Sequence, residues 1–145
     1  MSLAEPPDSD RRAFLARLRM LHEALDFVAA FAALKGLSER DLLRLQLVIE
    51  ELFSNTIMHG YGKECDEPIE IALGAAPGRV TVRYQDAAGP YDPARALATS
   101  RVSEPLEQRP VGHLGVHLVA AIVDDMRYAR IDGRNQLQIL MRVGG

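Results

Sequence analysis

Cysteine is almost absent from this chain of 145 residues, where Cys65 is the single example. An intrachain disulfide and a cysteine-built metal cage are therefore both excluded, which fits a reducing cytoplasm. An excess of positive charge is also missing: 17 Lys and Arg stand against 20 Asp and Glu, giving a net charge of -3. A phosphate backbone rewards a basic face, so no direct nucleic-acid partner is expected. The chain has no run of about 18 apolar residues, so no transmembrane helix is expected. Met1 to Asp10 are polar, with Pro6-Pro7 and three acids, and lack the basic and apolar regions of a signal peptide. Residues 1–8 read as a disordered lead-in. Internal repeats and low-complexity tracts are absent as well. What is present is ordinary for a soluble globular protein, with 48% hydrophobic and 26% charged residues. Residues 9–145 read as one domain, long enough to bury about two-thirds of its unfolded surface.

Periodicity organises the domain. Phe14, Leu18, Leu21, Leu25, Val28 and Ala32 recur at three- and four-residue steps, which predicts a first helix from Ser9 to about Lys35 with Gly36 as its left-handed cap. Ser38-Glu39-Arg40-Asp41 resembles a capping box, with Asp41 in place of the usual Glu. The second helix runs from there to about His59, with Leu42, Leu45, Val48, Ile49, Leu52 and Thr56 on its buried side. Residues 69 to 85 alternate as a hairpin about Pro77-Gly78. The stretch from Asp86 to Val111 holds Pro90, Pro93, Pro105 and Pro110 and little periodicity beyond a short helical pattern near Ala94 to Ala98. A loop of this length is usually functional. A helix over Leu114 to Ile122 and a closing hairpin follow. That hairpin pairs Met126 to Ile131 with Gln136 to Val143 around Asp132-Gly133-Arg134-Asn135. The order predicts an α+β fold, a two-layer sandwich with helices on one face of a mixed, mainly antiparallel sheet.

Three constellations carry candidate chemistry. Glu51, Asn55 and His59 stand four apart and share one side of the second helix, whereas Glu50 points well away from Asn55. A carboxylate beside a carboxamide suits a general base next to a Mg²⁺ ligand, since Mg²⁺ takes hard oxygen donors and borrows the rest from phosphate and water. The same set also suits a solvated helix edge, with His59 answering the helix dipole. Gly112-His113-Leu114-Gly115 opens a helix, where backbone N–H groups can cradle phosphates or simply form a hinge. Asp86 ends the second strand of the first hairpin and suits either a turn or acceptance from an exocyclic amine. His113 and His117 are four apart but lack a third ligand in register, so zinc is not expected. Cys65, in an acidic stretch, is read as inert.

Taken together these segments resemble the GHKL (histidine kinase-like) ATPase superfamily, and within it the anti-sigma factor serine/threonine-protein kinases. Leu47 to Tyr61 is similar to the family's N box, Asp86 to Pro93 to its adenine box, and Arg109 to Val119 to its glycine-rich phosphate box. Tyr128 to Asn135 and the strand after it are similar to the family's ending. The resemblance spans roughly Phe14 to Val143. It implies a sandwich that holds ATP and Mg²⁺ under a lid at about residues 94–111. Carried over by position, Glu51 implies the general base that deprotonates a substrate serine, Asn55 the Mg²⁺ ligand, and Asp86 the reader of adenine. Ala88, His59 and Arg109 fall within the implied nucleotide site. Gly112, His113, Leu114, Gly115 and Val116 fall where phosphate-contacting backbone lies. The family pattern has glycine at the positions of Ala88 and His113.

The implied function is an ATP-dependent protein serine kinase that phosphorylates a STAS-type anti-anti-sigma protein and sequesters a sigma factor. A homodimer is a further implied partner. The alternative is a non-catalytic, nucleotide-responsive protein-binding module of the same fold, which Ala88 and His113 motivate. A third reading is the ATPase portion of a two-component histidine kinase. It is disfavoured because His22 is not followed by the acidic-Arg pattern of a phosphoacceptor helix.

Overall fold

The computed structural model describes residues 3, 9–91 and 119–144. The elements are β1 (Asp10–Leu15), a 3₁₀ turn (Leu18–Met20), α1 (Leu21–Lys35), α2 (Glu39–Asn55), a π-helical turn (Thr56–Tyr61), β2 (Pro68–Ala76), β3 (Arg79–Asp86), β4 (Asp125–Ile131) and β5 (Arg134–Arg142). The strands form one sheet in the order β1-β2-β3-β5-β4, and all four described pairings are antiparallel. Helices pack against this sheet, as an α+β sandwich requires. The expected lid, residues 94–111, and the start of the third helix lie outside the described residues. The end of that helix is described at residues 119–122, where the Val123 N–H closes on the Val119 carbonyl at 3.0 Å. Leu3, in the expected lead-in, donates its N–H to Gln136 Oε1 at 3.0 Å.

The first helix begins later than its periodicity predicts. Asp10 to Leu15 form the edge strand β1, with Asp10 opposite Leu73 and Leu15 opposite Pro68. Phe14 and Leu18 therefore leave the helical stripe: Phe14 is buried from the strand, and Leu18 is exposed. The cause is long-range pairing with β2, which overrides local propensity. The remaining α1 stripe buries Ala24, Val28, Phe31 and Ala32, and Gly36 caps it at a φ of 69°.

The second helix starts as predicted, with Ser38 Oγ accepting the Asp41 N–H at 3.1 Å. The Asp41 carboxylate takes Arg44 at 2.7 Å and the Gly144 N–H at 2.9 Å. Arg44 also donates to the carbonyls of Arg142 and Ile122. One partly buried cluster thus ties the start of α2 to the end of β5. The Gly144 N–H foremost, with help from Arg44 and against the effect of burial, holds the Asp41 carboxyl below its ordinary value.

Alternation in the strands builds the core. Val80, Val82 and Tyr84 of β3 and Leu137, Ile139 and Met141 of β5 join one hydrophobic cluster with Leu45, Ile49 and Phe53 of α2. Phe14 meets Phe53 and Phe27 edge-on, with ring centres 6.4 and 5.9 Å apart. The β4–β5 hairpin turns on Asp132-Gly133 alone, both at positive φ (51° and 76°), a backbone twist that matches the flanking strands.

Candidate nucleotide site

The sheet and α2 end together at one pocket. Leu52, Val119 and Leu137 supply its apolar walls, and Asn55, Thr56, Asp86 and Asn135 its polar groups. The parity of each strand determines which side chains arrive. Asp86 is in phase with Val80, Val82 and Tyr84, and Asn135 is in phase with Leu137, Ile139 and Met141. The two are register partners, Asp86 opposite Asn135. Both are buried, at 7% and 6% exposure.

A buried carboxylate is costly unless hydrogen-bonded, and Asp86 has three donors. Asn135 Nδ2 reaches Oδ1 at 2.9 Å, the Ala88 N–H reaches Oδ1 at 3.1 Å, and Thr56 Oγ1 reaches Oδ2 at 2.8 Å. An ionised carboxylate offers about four lone-pair sites, so acceptor capacity for one more donor remains. Behind Thr56 stands Tyr84, whose hydroxyl lies 2.6 Å from Thr56 Oγ1 and 3.0 Å from the Leu52 carbonyl oxygen. Thr56 spends its proton on Asp86, so Tyr84 shares its own between Thr56 and Leu52. Complete burial and the nearby Asp86 push the Tyr84 hydroxyl well above its ordinary value, which keeps it a donor.

Asn135 holds the loop after β3. Its Nδ2 also donates to the Gly89 carbonyl at 2.9 Å and the Ala88 carbonyl at 3.3 Å. Its Oδ1 accepts from Tyr128 Oη at 2.6 Å, Arg130 at 3.1 Å and the Tyr91 N–H at 3.3 Å. Arg130 closes on the Ala88 carbonyl at 2.6 Å. On the helix side, Tyr61 Oη accepts the Ala87 N–H at 2.9 Å. Burial pushes that phenol up to about 12.

Of the residues predicted from sequence, Asn55, Asp86 and Ala88 line this pocket. Glu51 lies one turn before Asn55 on α2 and is half-buried. Partial burial, then the charge of Glu50, push its carboxyl up from the ordinary value. His59 belongs to the turn that follows α2. From Thr56 onward the backbone follows a π turn, which has more residues per turn than an α-helix. His59 is exposed and lies outside the pocket lining. Arg109, Gly112, His113, Leu114, Gly115 and Val116 lie outside the described residues.

Asn135, Thr56 and Tyr84 also line the pocket and are not among the residues predicted from sequence. Asn135 belongs to β5 and not to the predicted four-residue turn, which is two residues long. In the sequence Thr56 falls on the buried side of the second helix and Tyr84 on the alternating strand, neither of which marks a site. A signal existed for each, since a polar group in phase with a buried stripe needs a partner.

The donor set suits an adenine nucleotide. A pocket with apolar walls and one carboxylate able to accept from an amine is the chemistry that suits a purine with an exocyclic amine. Among the described residues no cluster of three or more His, Cys, Asp or Glu side chains could hold a metal. A Mg²⁺ here would take the Asn55 carboxamide oxygen and complete its shell with phosphate and water.

The family model "Histidine kinase-like ATPase domain" matches residues 14–142. The serine-protein kinase RsbW of Bacillus thuringiensis (strain Al Hakam) is 25% identical over 113 residues, covering 76% of this chain and 70% of the relative. RsbW of Bacillus anthracis (strain A0248) is 25% identical over 122 residues, with the same 76% and 70% coverage. Among solved structures, the RsbU and RsbW domains of Rv1364c from Mycobacterium tuberculosis superpose with a TM-score of 0.63 at 17% identity, over 92% of this chain. This chain spans 32% of that protein. The histidine kinase AdeS of Acinetobacter baumannii superposes with a TM-score of 0.51 at 12% identity, covering 94% of this chain and 68% of that one. With the family match spanning nearly all of its fold, the chain belongs to the histidine kinase-like ATPase domains.

Proposed function

We propose that this protein is an ATP-dependent protein serine kinase acting as an anti-sigma regulatory factor. Its substrate is a serine of a STAS-type anti-anti-sigma protein, and its second partner is a sigma factor that it sequesters. The observation that carries the reading is one buried carboxylate, Asp86, with acceptor capacity left over, in the same pocket as Asn55 and one helical turn from Glu51. The kinase names of the relatives support the reaction class.

Phosphoryl transfer asks the protein for position and charge neutralisation more than covalent chemistry. Asp86 accepts from the amine of the base and so orients the nucleotide. Asn55 offers its carboxamide oxygen to Mg²⁺. Bound ATP supplies the phosphoryl group, which ends on the serine oxygen while ADP leaves. Glu51 takes the serine proton, and its raised pKa brings it closer to the proton affinity that a base needs near neutral pH. The N–H groups of Gly112, His113, Leu114, Gly115 and Val116, with Arg109, are the proposed phosphate contacts.

Incubation with Mg-ATP and a cognate STAS protein tests this reading. Phosphoserine should form, and Glu51→Gln should slow its formation by about 10²- to 10⁴-fold. Absence of phosphoserine, or an equal rate in the variant, contradicts the kinase. The second reading, a nucleotide-responsive binding module, is favoured by Ala88, whose methyl occupies the pocket wall at 2% exposure. It predicts partner capture without phosphoserine.

A further inference from the structure

Gly60 and Ala88 both line the pocket, one from the π turn and one from the loop after β3. Gly60 is not among the positive-φ glycines, so its backbone conformation is open to any residue. Space is what selects glycine there. A Cβ on Gly60 would stand 2.9 Å from the Ala88 Cβ, closer than two such atoms come. The same Cβ would meet the Asn55 carbonyl oxygen at 3.8 Å and Thr56 Cγ2 at 3.9 Å, both ordinary contacts. The conflict is therefore with Ala88 alone.

Ala88 is held in place through its backbone. Its N–H is held by Asp86 Oδ1, and its carbonyl by Arg130 and Asn135. Its methyl is fixed to the backbone, so no rotation relieves the clash. The two positions together have room for one methyl group, and position 88 carries it. Both residues border the pocket, so the methyl at position 88 takes up part of its clearance.

We propose that Gly60 and Ala88 form a gauge pair that sets the clearance of the base pocket, and that the methyl of Ala88 limits how tightly the adenine base is held. This rests on the nucleotide reading above. One methyl group in a closely fitted pocket shifts binding by about tenfold or more, and residues in contact respond non-additively.

Mg-ATP titration by calorimetry into four proteins tests the proposal, with thermal unfolding of each without nucleotide as a second readout. Ala88→Gly should bind about threefold or more tighter than the parent, and Gly60→Ala about tenfold or more weaker. The double variant G60A/A88G should return to within about threefold of the parent. If Gly60→Ala alone fails to fold while the double variant folds, the shared methyl space is confirmed. Equal affinity in Gly60→Ala and the parent overturns the gauge while leaving nucleotide binding intact. A double variant no better than Gly60→Ala, or one that also fails to fold, overturns it too. Absence of ATP binding by the parent overturns the nucleotide reading and, with it, the gauge.

Discussion

The paired strands β3 and β5 end in two different kinds of interior. At one end Val80 faces Met141 and Val82 faces Ile139, all 0–1% exposed, and the contacts are purely apolar. At the other end Tyr84 faces Leu137 and Asp86 faces Asn135, and the same inward parity delivers hydroxyl, carboxylate and amide. The first end is held by close packing, in which shape matters and chemistry does not. The second is held by directed bonds, in which every donor must find its acceptor. A recognition site grows out of a core when the alternation continues while the residue type changes. The helix repeats the transition, from Ile49 and Leu52 to Asn55 and Thr56.

Substitutions at the two ends should separate stability from binding. Ile139→Ala at the apolar end should cost about 3 kcal/mol of unfolding free energy in urea, through the cavity that it leaves. ATP affinity of the folded variant should stay unchanged. Asn135→Leu at the polar end should cost about as much, because it strips a partner from Asp86 and from the Ala88 and Gly89 carbonyls. In that variant ATP binding should go as well. Equal ATP binding by the two variants would erase the distinction. Thr56→Val keeps shape and removes one hydroxyl, so a smaller loss of about 1 kcal/mol is expected, with weakened ATP binding.

Two carboxylates on α2 sharpen the contrast through pH. Asp41, at the anchored start, has its pKa lowered. The stability it adds is present above the unfolded value of about 3.9 and is lost as pH falls through the lower folded value. Glu51, beside the site, has its pKa raised. Its favourable contribution is complete below the unfolded value of about 4.3 and is lost as pH rises through the folded value. Glu51→Gln should therefore raise the melting temperature slightly at pH 7, and Asp41→Asn should lower it. A melting temperature that falls in Glu51→Gln at pH 7 would mean that Glu51 has a stabilising partner.

Much of this was legible in the residues. The Ser38 cap, the Pro77-Gly78 turn and the closing hairpin follow from local rules, because each is decided within a few residues. The strand β1 was hidden, since a six-residue edge strand with Phe14 as its one buried residue gives no period-two signal. Its partner, β2, is far away in the chain. Asn55 and Asp86 were identified through helical spacing and strand position. Asn135 was not, because turn residues and inward strand residues look alike until the register is known. The π turn that holds His59 is likewise something side-chain periodicity does not reveal.

Asp86 is the centre of the proposed adenine site. Calorimetric titration of Mg-ATP into the parent and into Asp86→Asn, both verified as folded, should give saturable one-site binding for the parent. The variant should bind about tenfold weaker or worse. A parent that binds no ATP, or a variant that binds it equally well, would contradict the assignment of this pocket to an adenine nucleotide.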